Sequence, residues 1–457
     1  MTNISNFSGA CNYTNINDAG IFQVVGGGAH YLAADCPAGI RGAGTTNIDP
    51  ALLAELQTET TWPPLVYSNT SFATPMTFGP QAQRDCTGTV DLGYHYNPMD
   101  WVFGGVQVQT NITFMPGTSV GWFQLTNDTS SGNTYGLGLT NGVTVTFTGT
   151  ATAPCTFEQC DTIQEGDNGI WPVHGGFPGG ITAIGPGSTN NPPGLAAEFT
   201  HFYQLAGDLN SYSFSDGVSG QPLVVQAKHS EIWASYGGYD LMATFTNCLF
   251  VRCDFSQSST ADYPYEILRN CTFIGGTFYV YDYNVTPYWY SSAYNSAFDG
   301  TSIGLYYFSG TYTNYADFNY NAFDYGASQP ATEGPNTVLV TNGFNWQTNW
   351  FGNFYQSVSS PLIDAGSTSA TNVGLYHFTT QTNQTVEGAS VVDIGYHYVA
   401  TDPNGVPLDS NSDGIPDYLE DANGNGLVDS GEIDWNITDD LGLQVIINRP
   451  RNGGILP

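Results

Sequence analysis

Short apolar runs, each introduced by an asparagine, recur through the middle of the chain. Asn247-Cys248-Leu249-Phe250 returns as Asn270-Cys271-Thr272-Phe273, then as Asn295-Ser296-Ala297-Phe298, then as Asn321-Ala322-Phe323 with one residue fewer; the phenylalanines are 23, 25 and 25 residues apart. A propeller blade needs about 40 residues, and a leucine-rich repeat would show a leucine skeleton that is absent. Three short strands and three bends consume a little over twenty residues. The period therefore predicts one turn of a three-sided parallel β-solenoid, with the phenylalanines stacked as an internal ladder roughly 4.8 Å per rung. Gly105 to Phe114, Val120 to Leu125, Val143 to Gly149 and Gly194 to Leu205 have the same texture. Read as one coil, residues 100 to 360 make about eleven turns and a rod of roughly 50 Å, right-handed by the default for parallel crossovers. One short helix is expected. Asp49 can cap it, Pro50 suits its first turn, Ala51 to Leu56 favour it, and Pro63-Pro64 stops it.

A longer-range repeat divides the chain. Val90-Asp91-Leu92-Gly93-Tyr94-His95-Tyr96 returns as Val392-Asp393-Ile394-Gly395-Tyr396-His397-Tyr398, each copy preceded by a Pro…Ala-Gly-Thr/Ser element at residues 37–45 and 361–367. Two matched pairs in one order mark two copies of a coil-ending module. The division expected is a module closing a preceding unit over residues 1–98, a main parallel β-helix over 99–400, an acidic segment over 401–440 and a terminal strand or linker over 441–457. On this reading the chain is cut from a tandem array or imitates one.

Composition narrows the function. The 457 residues carry 7 Lys+Arg against 40 Asp+Glu, and Lys228 is the single lysine, so phosphate neutralisation and nucleic-acid binding are excluded as a main role. The 14% aromatic content supplies too much buriable surface for a disordered acidic chain. No apolar run is long enough to span a membrane. Met1 to Ser5 has neither the basic cap nor the apolar stretch of a signal peptide. Export encoded upstream and a piece of a longer protein are the two readings left.

Eleven of the acidic residues lie between 401 and 440, with no Lys or Arg among them. Asp409, Asn411, Asp413, Gly414, Ile415, Asp417 and Glu420 occupy positions 1, 3, 5, 6, 7, 9 and 12 of a calcium loop. The pattern repeats at once as Asp421, Asn423, Asn425, Gly426, Leu427, Asp429 and Glu432. The ligands expected for Ca2+ are these residues apart from the two glycines, with Ile415 and Leu427 contributing backbone carbonyls. Abutting loops leave no room for the helix between EF-hands, so the pair resembles thrombospondin type 3 or dockerin-like segments. Together with Pro361-Leu362-Ile363-Asp364-Ala365-Gly366, Asp393 to Tyr398 and Asp413 to Gly426, the chain resembles secreted bacterial right-handed parallel β-helix proteins of the pectate-lyase-like superfold, especially the very long repetitive ones of Verrucomicrobia-type bacteria. The resemblance implies fold, export and calcium. It implies no activity, because the superfold hosts lyases, hydrolases, adhesins and inert stalks.

The remaining chemistry is sparse. Cys248 and Cys271 are one turn apart, within reach of either a disulfide or a stack of buried thiols, and Cys155 with Cys160 could close a local loop. Residues 278–325 are crowded with aromatics, including Tyr279, Tyr281, Tyr283, Tyr288, Trp289, Tyr290, Tyr306, Tyr307, Tyr312 and Tyr315. A strand can bury only alternate residues, so some of these rings must face outward, towards a glycan, another copy or merely the loops around them. His95 and His397 read as structural. A lyase mechanism needs a basic residue beside carboxylates, and Arg252 near Asp254 and Asp262 is the best set; Lys228 and Arg269 stand apart, and Asp282, Asp299, Asp317 and Asp324 are scattered. A net charge of −33 repels uronates. The expectation is a non-catalytic, calcium-stabilised extracellular or cell-surface rod that serves as a stalk, surface layer or fibre unit joining head to tail. A polysaccharide-active or glycan-binding protein is the alternative.

Overall fold

The computed structural model describes residues 19–438 apart from 38, 85–87, 126–134, 166–178, 186–190, 205–211, 217–221, 238–240, 260–264, 283–289, 308–315, 325, 327–329 and 331–332. Its strands fall into three long parallel sheets of eleven, nine and nine strands. From Leu65–Ser68 to Ala322–Asp324 successive strands visit the three sheets in turn and each pairs with the strand three earlier, a winding compatible with the predicted solenoid, and Val338–Val340 then adds directly onto Ala322–Asp324. The eleven-stranded sheet runs from Leu65–Ser68 to Val338–Val340, so the circuits start inside the region expected to close a preceding unit and stop well short of residue 400.

One apolar core lies between the three sheets. Phe157, Phe202, Ile232, Phe250, Phe273, Phe298 and Phe323 stand in strict register along the eleven-stranded sheet. The repeat ladder forms as expected: Phe250, Phe273, Phe298 and Phe323 stack at 4.2, 5.0 and 5.2 Å with their rings nearly parallel. Cys248 and Cys271 are free thiols rather than a disulfide, as are Cys155 and Cys160. Both Cys248 and Cys271 are fully buried and bond to backbone carbonyls of Ala227 and Phe245, so this pair is the stacked-thiol alternative. The helix Pro50–Thr58 is capped by Asp49, whose carboxylate accepts from Ala51 and Leu52 N–H.

The repeated asparagines have two causes. The six circuits that enter the eleven-stranded sheet from Thr200–Tyr203 to Ala322–Asp324 each turn into it through one left-handed residue: Phe199, His229, Asn247, Asn270, Asn295 and Tyr320, with φ between 42° and 54°. Asparagine tolerates that region better than most residues. Tyr320 holds the corner in the last circuit, and Asn321 takes the place of Ser296, which explains the shortened repeat. The second cause is packing. Asn247 donates from Nδ2 to His397 O at 2.8 Å and accepts from His397 N at 2.7 Å, and Asn295 Oδ1 accepts from Ser367 N at 2.8 Å.

The second module copy, residues 347–399, therefore lies along the flank of the stack, antiparallel to its growth, where the sequence reading had it closing the coil. Tyr355, Tyr396 and Tyr398 cover Leu249 and Val251 on the outer face of the eleven-stranded sheet. The first copy covers the same face lower down, where Met99 packs with Val102, Phe123 and Cys160. Both copies are wired alike. Gly44 N and Gly366 N donate to Val90 O and Val392 O at 2.8 and 2.9 Å. Asp91 and Asp393 accept from the backbone of Gly42 and Asp364 at 2.6 and 2.7 Å and from the hydroxyls of Thr61 and Thr380 at 2.5 Å. Each copy also starts with an antiparallel hairpin, Phe22–Val25 with Gly28–Leu32 and Gln347–Asn349 with Gly352–Tyr355, that the sequence comparison did not reach. His95 and His397 sit against Gly93 O and Gly395 O, as structural histidines should.

Two measurements follow. Asn247→Ala removes two buried hydrogen bonds and places a Cβ residue without a local partner at φ 51°, which should cost about 2–4 kcal/mol in urea unfolding and loosen the flank module first. Glu266 is fully buried on an inward position between Ala243 and Ser291, neither of its carboxylate oxygens has a hydrogen-bond partner, and burial pushes it from 4.5 up to about 8. The folded state thus holds a proton that the unfolded state releases, so stability is full below pH 4.5 and falls as pH rises to about 8. Burial acts in the same sense on Glu158, also pushed up to about 8. Glu266→Gln should remove on the order of 1–3 kcal/mol of this loss, read as a flatter curve of unfolding free energy against pH.

Candidate functional site

The twelve sequence-predicted ligands lie in two consecutive loops that continue back along the flank. Their internal wiring repeats position by position. In the first, Asp409 accepts from Gly414 N at 3.0 Å, Asn411 from Asp413 N at 3.0 Å and Asp413 from Ile415 N at 2.8 Å. In the second, Asp421 accepts from Gly426 N at 2.7 Å, Asn423 from Asn425 N at 3.0 Å and Asn425 from Leu427 N at 2.7 Å. Gly414 and Gly426 take left-handed backbone at φ 95° and 76°, which the sharp turn at the sixth position requires. A single helical turn, Asp417–Glu420, closes the first loop.

The loops differ in burial. In the first, Asn411, Asp417 and Glu420 are buried, and Asp413 Oδ2 and Glu420 Oε2 are buried oxygens with no hydrogen-bond partner. Burial, then the charges of Asp413, Asp417 and Asp409, push the Glu420 carboxyl upward against the opposing bond from Asn411. An oxygen-ligand cation would satisfy both orphaned oxygens and this repulsion at once. In the second loop Asn423, Leu427 and Asp429 are exposed, Asp429 accepts from the amides of Asn423 and Asn425 at 2.8 Å, and Glu432 accepts from Asn423 N and Asp429 N. Among the described residues, no three His, Cys, Asp or Glu side chains already converge tightly enough to hold a metal by themselves.

The loops are anchored between their ligands. Tyr418 Oη accepts from Ala151 N at 3.1 Å, and its ring packs on Phe199 and Phe378. Asp421 Oδ2 accepts from buried His377 at 3.0 Å; burial alone would raise this carboxyl, but the bonds from His377, Gly426 and Asn425 hold it below its usual value. Tyr376 N donates to Gly424 O at 3.0 Å.

Of the aromatic strip, Tyr283, Tyr288, Trp289, Tyr312 and Tyr315 lie outside the described residues. Tyr279, Tyr281, Tyr306 and Tyr307 lie on paired strands of one nine-stranded sheet, with Tyr281 opposite Tyr306, and Tyr290 is exposed at the start of a strand in the other. Arg252 sits exposed at a left-handed corner, Asp254 accepts from Thr277 Oγ1 at 2.9 Å, and Asp262 lies outside the described residues. Of the best catalytic set read from the sequence, only Arg252 and Asp254 lie among the described residues.

Sequence reasoning missed a second polar cluster. On the outer face of the eleven-stranded sheet, between the two module copies, Thr156, His201 and Glu231 align across three neighbouring strands, and Glu158, Tyr203 and Trp233 align beside them. Tyr203 Oη lies 3.2 Å from His201 Nδ1, and Trp233 Nε1 donates to Glu231 Oε2 at 2.8 Å. The alternation of these strands was legible; that their outward residues face a gap between modules was not. No family model matches the chain, and no curated protein matches it.

Gly424→Ala tests the docking of the loops. Its added Cβ would fall 2.2 Å from Gly374 O, at φ 66°. Gly414→Ala is the control, strained at φ 95° but meeting no atom within 4 Å. The first should cost about 2 kcal/mol or more and speed proteolysis after residue 400, and the second about 1 kcal/mol.

Proposed function

We propose that the chain is an extracellular, calcium-stabilised structural rod, a subunit of a stalk, surface layer or fibre. On this reading the three sheets close into a right-handed, three-sided solenoid with the calcium loops clasped to its side, as in the β-helix proteins the sequence resembles. The observation that carries it is the condition of the ends. Among the described residues, the eleven-stranded sheet and one nine-stranded sheet finish at both ends on a strand with one unpaired edge, and the last strand of the other, Ala316–Asn319, meets beyond it only a single bridge from Phe318 to Glu333. At the start of the eleven-stranded sheet Leu65 and Val66 are exposed, and at its finish Leu339 is exposed. Open parallel edges with apolar side chains favour another copy stacked on them, and a head-to-tail contact of that kind propagates. The side of the rod, by contrast, is covered twice by the same module. No helix among the described residues is long and apolar enough to cross a membrane.

Calcium would be held first by Asp409, Asn411, Asp413, Asp417 and Glu420 with the Ile415 carbonyl, and there it would offset clustered carboxylates and fix the segment that Tyr418 pins to the stack. Sedimentation and negative-stain images with calcium and with chelator test the proposal. Rods or filaments, together with a melting temperature that falls by several degrees on chelation and an equal fall in Glu420→Gln, are expected. Monodisperse globules at all concentrations would overturn the rod, and a melting curve indifferent to calcium would overturn the clasp.

A further inference from the structure

The joint between the second module and the stack holds a buried pair of carboxyls that is wired differently from its duplicate. In the first module Asp91 is met by the guanidinium of Arg41 at 3.0 Å. Aligning Ala43-Gly44-Thr45 with Ala365-Gly366-Ser367 puts Ile363 at the place of Arg41, and Ile363 offers Asp393 no charge. Asp393 instead shares a cavity of about 110 Å³ with Glu387 and Asp364, and that lining contains no lysine or arginine. Glu387 bonds to His397 Nε2 at 3.1 Å and accepts from Ser390 Oγ at 3.1 Å. Glu387, Asp393 and His397 are all buried.

The same residues tie the module to the stack. Asn247 bonds both His397 N and His397 O, Asn270 Nδ2 donates to Asp393 O at 3.4 Å, and Gly395 N donates to Asn295 O at 2.8 Å. Three titratable groups of the stack face this joint. His229 bonds to Asn247 at 2.9 Å, and burial, then the charges of Lys228 and His397, push its ring down to about 3, so it stays neutral above mild acid. His201 and Glu231 line a neighbouring cavity with His397.

We propose that Glu387, Asp393 and His397 form a pH-sensitive latch, which holds the second module on the stack in mild acid and loosens it as the solution becomes neutral and then alkaline. Two carboxyls in one small cavity cannot both ionise cheaply, so one keeps a proton while the other is paired. The bond to His397 selects Glu387 as the ionised member. Burial alone would raise its carboxyl, but the bond and charge of His397 hold it below 4.5. Burial, then the charge of Glu387, push Asp393 from 3.8 up to about 7. The contribution of Asp393 is therefore full below pH 3.8 and is lost as pH rises to about 7, whereas that of Glu387 is present above pH 4.5 and is lost below it. The joint is tightest near pH 4.5, where the two windows meet. The guanidinium of Arg41 keeps its charge throughout, so the first module has no such dependence.

Hydrogen exchange of the full chain at pH 5 and pH 8, at one calcium concentration and with the intrinsic exchange rates divided out, tests the latch. Protection of residues 361–399 should fall at pH 8 by about tenfold or more relative to the stack, while residues 39–98 keep pace with the stack. Asp393→Asn, which still offers an acceptor to Asp364 N, should abolish the excess loss. If that variant does not fold, Glu387→Gln removes the charge that opposes ionisation of Asp393 and should shift the loss to higher pH. The latch is overturned if residues 361–399 lose no more protection than the stack, if the first module loses as much, or if Asp393→Asn leaves the excess loss unchanged.

Discussion

Parallel stacking in register governs nearly everything in this molecule. Every strand of the three long sheets hydrogen-bonds to its counterpart one circuit away, so a residue's nearest neighbours there are the residues at the same position in the circuits before and after. Columns rather than single sites are what the chain must fill. The phenylalanine column of the eleven-stranded sheet is the clearest result, and the matching column Phe78, Phe114, Phe147, Ala197, Ala227, Phe245, Leu268, Ala293 and Phe318 shows how small and large residues alternate where space varies. Corners obey the same rule, for left-handed residues also stand in columns: His229, Asn247, Asn270 and Asn295 where the chain enters the eleven-stranded sheet, and Ala234, Arg252, Gly275 and Gly300 where it leaves. Glu266 is a departure from it, a carboxyl set in an interior column with only burial acting on it.

The module copies show one design with two electrostatic solutions. In each, a buried aspartate ties together a backbone N–H and a threonine hydroxyl. Asp91 is compensated by Arg41, 3.0 Å away and itself stacked over Trp62. Asp393 has no such cation; burial and the charge of Glu387 push it up to about 7, while Glu387 bonds to His397 at 3.1 Å. Arg84 likewise meets fully buried Asp100, at 3.1 Å. What remains is an excess of carboxylates in the flank loops, where the proposed compensation comes from outside the chain.

Much of this was legible in one dimension. A period of 23 to 25 residues, the ladder it implies, the capped helix, the duplicated Gly-Tyr-His-Tyr ending and the two loop patterns are all local or strictly periodic, and a stacked fold converts period directly into contact. Column identity needs no knowledge of long-range packing, since like residues meet by construction. The sequence also marked Gly414 and Gly426 as the sharp turns of their loops, whereas the corner role of Asn247, Asn270 and Asn295 came from the backbone.

The tertiary structure alone decided where the non-periodic parts went. That the second module folds back along the flank depends on Asn247 and Asn295 offering their side-chain amides to His397 and Ser367, contacts between residues up to 150 positions apart with no periodic signal. That Glu158, His201, Tyr203, Glu231 and Trp233 lie between the modules follows from which outward faces the modules cover and which they leave open, while Cys248 and Cys271 sit in the interior core as thiols bonded to backbone carbonyls. Alternation tells which side of a strand a residue takes; only packing tells what lies on that side.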